Sequence, residues 1–315
     1  MKKTSDMSPR ILLTTLIAPI LWGTTYITIT EFLPAHRPLF VAVLRVVPAG
    51  LLLVTIGFRA ASWRPRGRDW LHVGVLGLCN FGFFFPLLIT AAYRLPGGVA
   101  ASAGGLQPLL VACITAMLAS RRPSRHDLAV GLLAAMGVSL IVVRPGAAFD
   151  AVGVIAAIGA NISFAVGVVL TKRFPVPVNR ISATGWQLLI GGAALIPLAI
   201  VVEGAPPTLT WQNIGGFAYL GLVGTGLAFL LWFNGIRRLP AAAPPLLGLA
   251  APMTGAAIGW LVLDQSLSPT QLAGFGVTFA AITAGAVMAG QPNSSSTSMA
   301  SVALRSEVRN CSSSV

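Results

Sequence analysis

The chain has 315 residues, 55% of them hydrophobic and 9% charged, with a formal net charge of +13. Ordinary soluble domains are about 25% charged, so a mean hydropathy of +0.82 points away from a large soluble core and toward an integral membrane protein. The three cysteines, Cys79, Cys113 and Cys311, are odd in number and widely spaced, which supports neither a disulfide framework nor a zinc site.

Cutting the chain at its charged residues leaves apolar runs at 11–30, 38–58, 70–93, 95–120, 128–143, 151–171, 181–202, 211–236, 239–263 and 268–290. A membrane-spanning helix needs ~20 apolar residues, so each run predicts one span, ten in all. The run 128–143 is short and relies on Arg144 snorkelling to the interface. The first run is too long for a signal-peptide core, and no small-residue cleavage site follows it. Beyond 290 the chain turns Ser-rich and weakly hydrophobic, which predicts a disordered tail over 291–315.

Of the 21 Lys and Arg residues, 17 fall in alternate connections beginning with the N-terminal tail. Arg37, Arg94 and Arg144 fall in the others, and Arg45 lies inside a run. This bias predicts a multi-pass protein with both termini cytoplasmic. It also accounts for the net charge without a nucleic-acid partner.

An internal repeat organises the runs. At an offset of 144, residues 76–129 match residues 220–273 without a gap, with 16 identities in 54 positions. They include Gly82/Gly226, Phe85/Phe229, Arg94/Arg238, Gly104/Gly248 and Pro108/Pro252. A weaker match at an offset of 142 pairs Trp22 with Phe164, Phe32 with Phe174 and Gly50 with Gly192. Each copy holds five spans, an odd number, so the second copy enters the membrane inverted, a construction common among secondary transporters. The expected fold is all-α, with one repeat over 11–143 and the other over 151–290.

Arg45 is the one formal charge deep in a run, where it costs ~2.5–3.5 kcal/mol to insert. It either contacts an anionic substrate or bonds backbone carbonyls, and the residues do not decide between these. Its offset partner is the neutral Gln187. Trp22 and Tyr26 share a helix face at i and i+4 and are candidates to stack on a substrate; interfacial anchoring is their plainer role. Asn80, Gln107, Asn161, Trp186 and Gln187 are the other polar or amphipathic groups deep in the runs, suited to a modestly polar pocket or to interhelical bonding. Small residues from Gly97 to Gly105 allow close helix approach. Pro244 and Pro245 should bend the matching helix, and Pro108 and Pro252 sit at equal depths, as hinges or as tolerated kinks.

No carboxylate or histidine lies mid-run, and the chain has no phosphate-binding Gly-rich Lys motif, metal-ligand cluster or nucleophile–base pair. The expectation is therefore a non-enzyme without metal or cofactor.

Taken together, the runs, the repeat and the matching prolines resemble the EamA family of the drug/metabolite transporter superfamily, over about 11–290. The carrying stretches are LWGTTY, RPLFVAVLRVVPAGLLL, AAYRLPGGVAASAGGLQPLL, TGWQLLIGGAALIPLA and LGLAAPMTGAAIGWLVLDQSLSPTQLAGFGV. The family commonly has Glu at or near Asp264. The wording is closest to the branch that includes a blue-pigment (indigoidine) exporter. The resemblance implies an exporter of amino acids or other small metabolites in the bacterial cytoplasmic membrane, working by alternating access. It also implies a cavity lined by the first, third, fourth, sixth, eighth and ninth helices. The partners expected are a small-molecule substrate and the lipid bilayer, with a homodimer left open. A membrane-embedded metabolite sensor without transport is the alternative, and an intramembrane enzyme is disfavoured by the missing acid–base groups.

Overall fold

The computed structural model describes residues 9–60, 63–95, 103–120, 122–142, 150–175, 179–240, 243–262 and 268–290. The tail 291–315, the small-residue stretch 97–102, Arg144 and Asp264 lie outside the described residues. Among those described, every regular element is helical.

The first run is two helices, α1 (Pro9–Gly23) and α2 (Thr25–Phe32). The break falls at Thr24, whose hydroxyl turns back to the Leu21 carbonyl at 2.7 Å and also meets Tyr219 Oη at 2.8 Å. Such side-chain bonds compete with the helix ladder. Helix α3 (Pro38–Ala60) starts on a proline, which has no N–H to leave unpaired. The next two backbone donors, Leu39 N and Phe40 N, reach the Glu203 carboxylate at 2.6 and 2.9 Å. The third run is continuous: α4 (Arg68–Gly77), a π-helical segment (Leu78–Phe83) and α5 (Phe84–Arg94).

A 3₁₀ turn (Ala103–Leu106) leads into α6 (Gln107–Leu118), and α7 (Arg125–Val142) follows. Helix α8 (Ala151–Arg173) is capped by Asp150, and α9 (Arg180–Glu203) by Asn179. The eighth run repeats the third: α10 (Trp211–Ala218), a π segment (Tyr219–Leu227) and α11 (Ala228–Arg238). The chain then forms α12 (Ala243–Leu247), α13 (Ala250–Val262) and α14 (Pro269–Gly290). Among the described residues six stretches are long and apolar enough to cross a membrane: Pro9–Phe32, Pro38–Ala60, Arg68–Arg94, Ala151–Arg173, Arg180–Glu203 and Trp211–Arg238. Shorter apolar helices cover Ala103–Leu118 and Ala243–Ile258.

One expectation is corrected here. Pro244 and Pro245 do not bend their helix, because they sit in the first turn of α12, where an N–H has no helical acceptor. The interruption comes at Gly248–Leu249 and belongs to Pro252, which cannot donate to the carbonyl four residues back. The Gly248 carbonyl takes Ala251 N instead, at 3.0 Å. Pro108 stands in the same relation to Gly104, and there too a tight turn replaces a regular one.

Packing depends on glycine where helices cross closely. A Cβ on Gly185 of α9 would lie 2.7 Å from Val54 N of α3, and one on Gly137 of α7 would lie 2.7 Å from Thr278 N of α14. With lipid as solvent, such close backbone contact supplies van der Waals attraction that apolar burial alone cannot. Large apolar side chains including Leu71, Ile155, Val201 and Phe279 face outward, as a lipid-facing surface requires.

Candidate functional site

At the centre of the bundle lies a cavity of about 120 Å³. Its walls are mostly aromatic: Trp22 packs against Phe164, Phe229 and Trp232 with ring centroids 5.7, 4.9 and 5.1 Å away, and Phe84 stacks on Phe164 at 4.8 Å. One of these contacts, and one more beside them, join positions paired by the repeat. Trp22 meets Phe164, its partner at offset 142, and Phe85 meets Phe229, its partner at offset 144, at 6.0 Å.

Arg45 is the polar centre of this wall, with only 1% of its surface exposed. Its Nε donates to Thr225 Oγ1 at 2.7 Å and its Nη2 to the Gly224 carbonyl at 3.2 Å, while the guanidinium lies 4.3 Å from the Phe85 ring centre. The same Gly224 carbonyl accepts from Trp22 Nε1 at 3.0 Å. Gly224 and Thr225 belong to the π segment, whose wider i→i+5 turn departs from the regular ladder. In the other copy the carbonyl of Cys79, also in a π segment, accepts from Ser163 Oγ at 2.7 Å. Thus Arg45 does bond a carbonyl, yet this cavity-lining residue keeps its Nη1 buried without a partner. Thr25 and Trp232, which also line the cavity, carry further buried and unpartnered donors at Oγ1 and Nε1.

Another part of the lining is neutral and polar. Gln107 Nε2 donates to the backbone and side-chain oxygens of Asn161 at 3.0 and 3.1 Å, and Asn161 Nδ2 donates to the Ala157 carbonyl at 2.8 Å. Among the described residues no carboxylate lines the cavity. The site can therefore hold a flat group between aromatic faces and donate to its oxygens, with a cation close by in a medium of low dielectric.

Of the residues singled out in the sequence, Trp22, Tyr26, Arg45, Gln107, Asn161, Pro245 and Pro252 line the cavity. Trp22 and Tyr26 both reach it although the helix breaks between them. Asn80, Trp186 and Gln187 do not. Asn80 is fully buried against Gly167 of α8, with both amide atoms unpartnered. Trp186 packs edge-on against Trp70, with centroids 5.3 Å apart. Gln187 lines a separate cleft toward one end of the bundle. Pro108 and Pro244 are buried outside the cavity lining. Sequence reasoning missed Thr25, Phe84, Phe85, Phe164, Thr225, Phe229 and Trp232. The repeat pairs Trp22/Phe164 and Phe85/Phe229 held the one available signal, since a residue touches its own repeat partner only near a pseudo-two-fold axis.

A model of the EamA-like transporter family matches residues 9–143 and again 151–284. The chain belongs to this family. It is 37% identical over 267 residues to Protein PecM of Dickeya dadantii (strain 3937), across 84% of this chain and 88% of that protein. It is 25% identical over 272 residues to the Probable amino-acid metabolite efflux pump of Salmonella typhimurium, across 82% and 89% of the two chains. A solved crystal structure shares the fold, with a TM-score of 0.74 at 19% identity over 89% of this chain and 99% of the other. This EamA-like chain is thus a multi-pass membrane protein of a transporter family.

Proposed function

We propose that the protein is a carrier that exports a small metabolite across the bacterial cytoplasmic membrane by alternating access. In this reading ten transmembrane helices form two inverted five-helix repeats, 11–143 and 151–290, followed by the tail 291–315, with both termini and the Arg-rich connections cytoplasmic. The contact of Trp22 with Phe164 and of Phe85 with Phe229 supports a pseudo-two-fold axis through the cavity. Pro108 and Pro252, which interrupt matching helices at one depth, serve as hinges about it. The efflux named for the Salmonella relative supports the outward direction.

The observation that carries the substrate reading is the Arg45 guanidinium. It is buried among aromatic rings, held by two bonds to the π segment and free at Nη1. With Thr25 Oγ1 and Trp232 Nε1 it presents donors and one positive charge, which suits a flat or apolar molecule bearing a carboxylate or carbonyl oxygens. Trp22, Tyr26, Gln107 and Asn161 complete the wall, while Asn80, Trp186 and Gln187 act at a distance from it.

The test is the metabolite-efflux profile of an overexpressing strain, followed by flux of the enriched compound in proteoliposomes. Wild-type protein moves it, and Arg45→Ala, inserted at equal levels, does not. Binding without flux would make the protein a sensor. Undiminished flux with Arg45→Ala would remove Arg45 from the site.

A further inference from the structure

A second polar cleft lies at the end of the bundle that carries Lys172, Arg173, Arg180 and Arg237. Two lobes, of about 120 and about 20 Å³, share Ala183, Gln187 and Arg237. Arg180 and Arg237 both line it, and their charges repel each other. Among the described residues each has a neutral partner: Arg180 Nη1 donates to Asn234 Oδ1 at 2.7 Å, and Arg237 Nη1 to the Phe174 carbonyl at 3.3 Å. Among the described residues the one ion pair is Arg94–Asp150, elsewhere in the bundle. Asp69, on the wider lobe, pairs with neither arginine and instead accepts from Arg66 N at 3.3 Å. Thr171 and Gln187, residues 1% and 4% exposed, line the cleft, and their Oγ1 and Oε1 are buried without partners among the described residues.

The repeat offers one corner to set beside it. At the opposite end of the bundle, Glu203 supplies a carboxylate to Leu39 N and Phe40 N, and the Arg37 guanidinium bonds the carbonyls of Glu203 and Ala205. An offset of 142 carries Pro38, beside that carboxylate, onto Arg180 in the cleft, and Glu203 itself onto Ala61. One corner has an acid and one arginine. The other has two arginines, neither of them bonded to a carboxylate among the described residues.

We infer that the cleft between α8, α9 and α11 binds an oxyanion from outside the chain, a carboxylate or phosphate group held by Arg180 and Arg237 with the Thr171 hydroxyl. An unpaired guanidinium pair at a membrane boundary favours such a ligand through charge-assisted, bidentate bonds. A free anion from the cytoplasm and the phosphate of an anionic lipid offer the same chemistry. The site is separate from the central cavity, and its occupancy does not depend on transport.

The test uses the purified full chain in neutral detergent with two probes. Radiolabelled inorganic phosphate is measured by equilibrium dialysis, and phosphatidylglycerol against phosphatidylcholine by native mass spectrometry. Saturable binding of phosphate at one site per chain identifies a soluble oxyanion. Selective retention of phosphatidylglycerol with no phosphate binding identifies a lipid headgroup. In either case Arg180→Gln and Arg237→Gln should each weaken binding by about tenfold or more, the loss typical of a charged hydrogen-bond partner, while Arg237→Lys loses less. Size-exclusion profiles check that the variants remain folded, and Arg180→Gln alone suffices if Arg237→Gln does not. No saturable binding of either probe, or binding unchanged in the folded variants, overturns the inference.

Discussion

Phe85 and Phe229 stand 144 positions apart and meet on the cavity wall with ring centroids 6.0 Å apart. Their environments then diverge, because the Arg45 guanidinium lies 4.3 Å over Phe85 alone. The scaffold is paired, and the charge is not.

That difference predicts unequal effects from equal substitutions. A desolvated cation–π contact is worth about 2 kcal/mol, so Phe85→Leu should lower flux by roughly tenfold or more. Phe229→Leu removes a ring of the same size without that contact and should cost less. Equal losses in proteoliposome flux would mean that only ring volume matters.

The bond from Arg45 Nε to Thr225 Oγ1 predicts a second asymmetry. Thr225→Val keeps the shape but leaves a buried charged donor unpaired, a cost of about 1–3 kcal/mol or more. Its melting temperature and flux should both fall, and Thr225→Ser should restore them. A silent Thr225→Val would show that Arg45 finds another acceptor.

Close packing gives a prediction independent of transport. In Gly185→Ala the new methyl falls 2.7 Å from Val54 N, so α3 and α9 must move apart. Overpacking typically costs about 1–3 kcal/mol. Gly215→Ala, with no atom within 4 Å of its Cβ, should be neutral or slightly stabilising. Detergent melting of the two variants compares them directly.

Asp150 supplies the pH dependence. The Gly153 N–H, donating at 2.7 Å, and then Arg94 hold its carboxyl below the ordinary value. A depressed folded value contributes stability above the unfolded value of about pH 4 and loses it as pH falls through the folded one. Wild type should therefore melt above Asp150→Asn at neutral pH, and the gap should close below about pH 4. A gap that persists unchanged into acid would assign the difference to geometry rather than charge.

Much of this was legible in the chain itself. Arg45 stood out because a guanidinium deep in an apolar run demands a partner, and Pro108/Pro252 because their offset recurs. The π segments were not legible, since Leu78–Phe83 and Tyr219–Leu227 read as ordinary apolar helix. Nor was the split among the polar residues. Gln107 and Asn161 bond to each other in the cavity lining while Asn80 and Trp186 lie outside it, because which face of a helix meets which neighbour depends on crossing angle and rotation.

Composition and periodicity determined a membrane-embedded helical chain built from a repeated unit, because the bilayer imposes span length and internal backbone hydrogen bonding on any sequence that crosses it. Only the tertiary structure decided that Trp22, Phe85, Arg45 and their repeat partners converge or part. Contacts between residues some 140–180 positions apart arise from packing across the two halves of the bundle, and no local pattern encodes them.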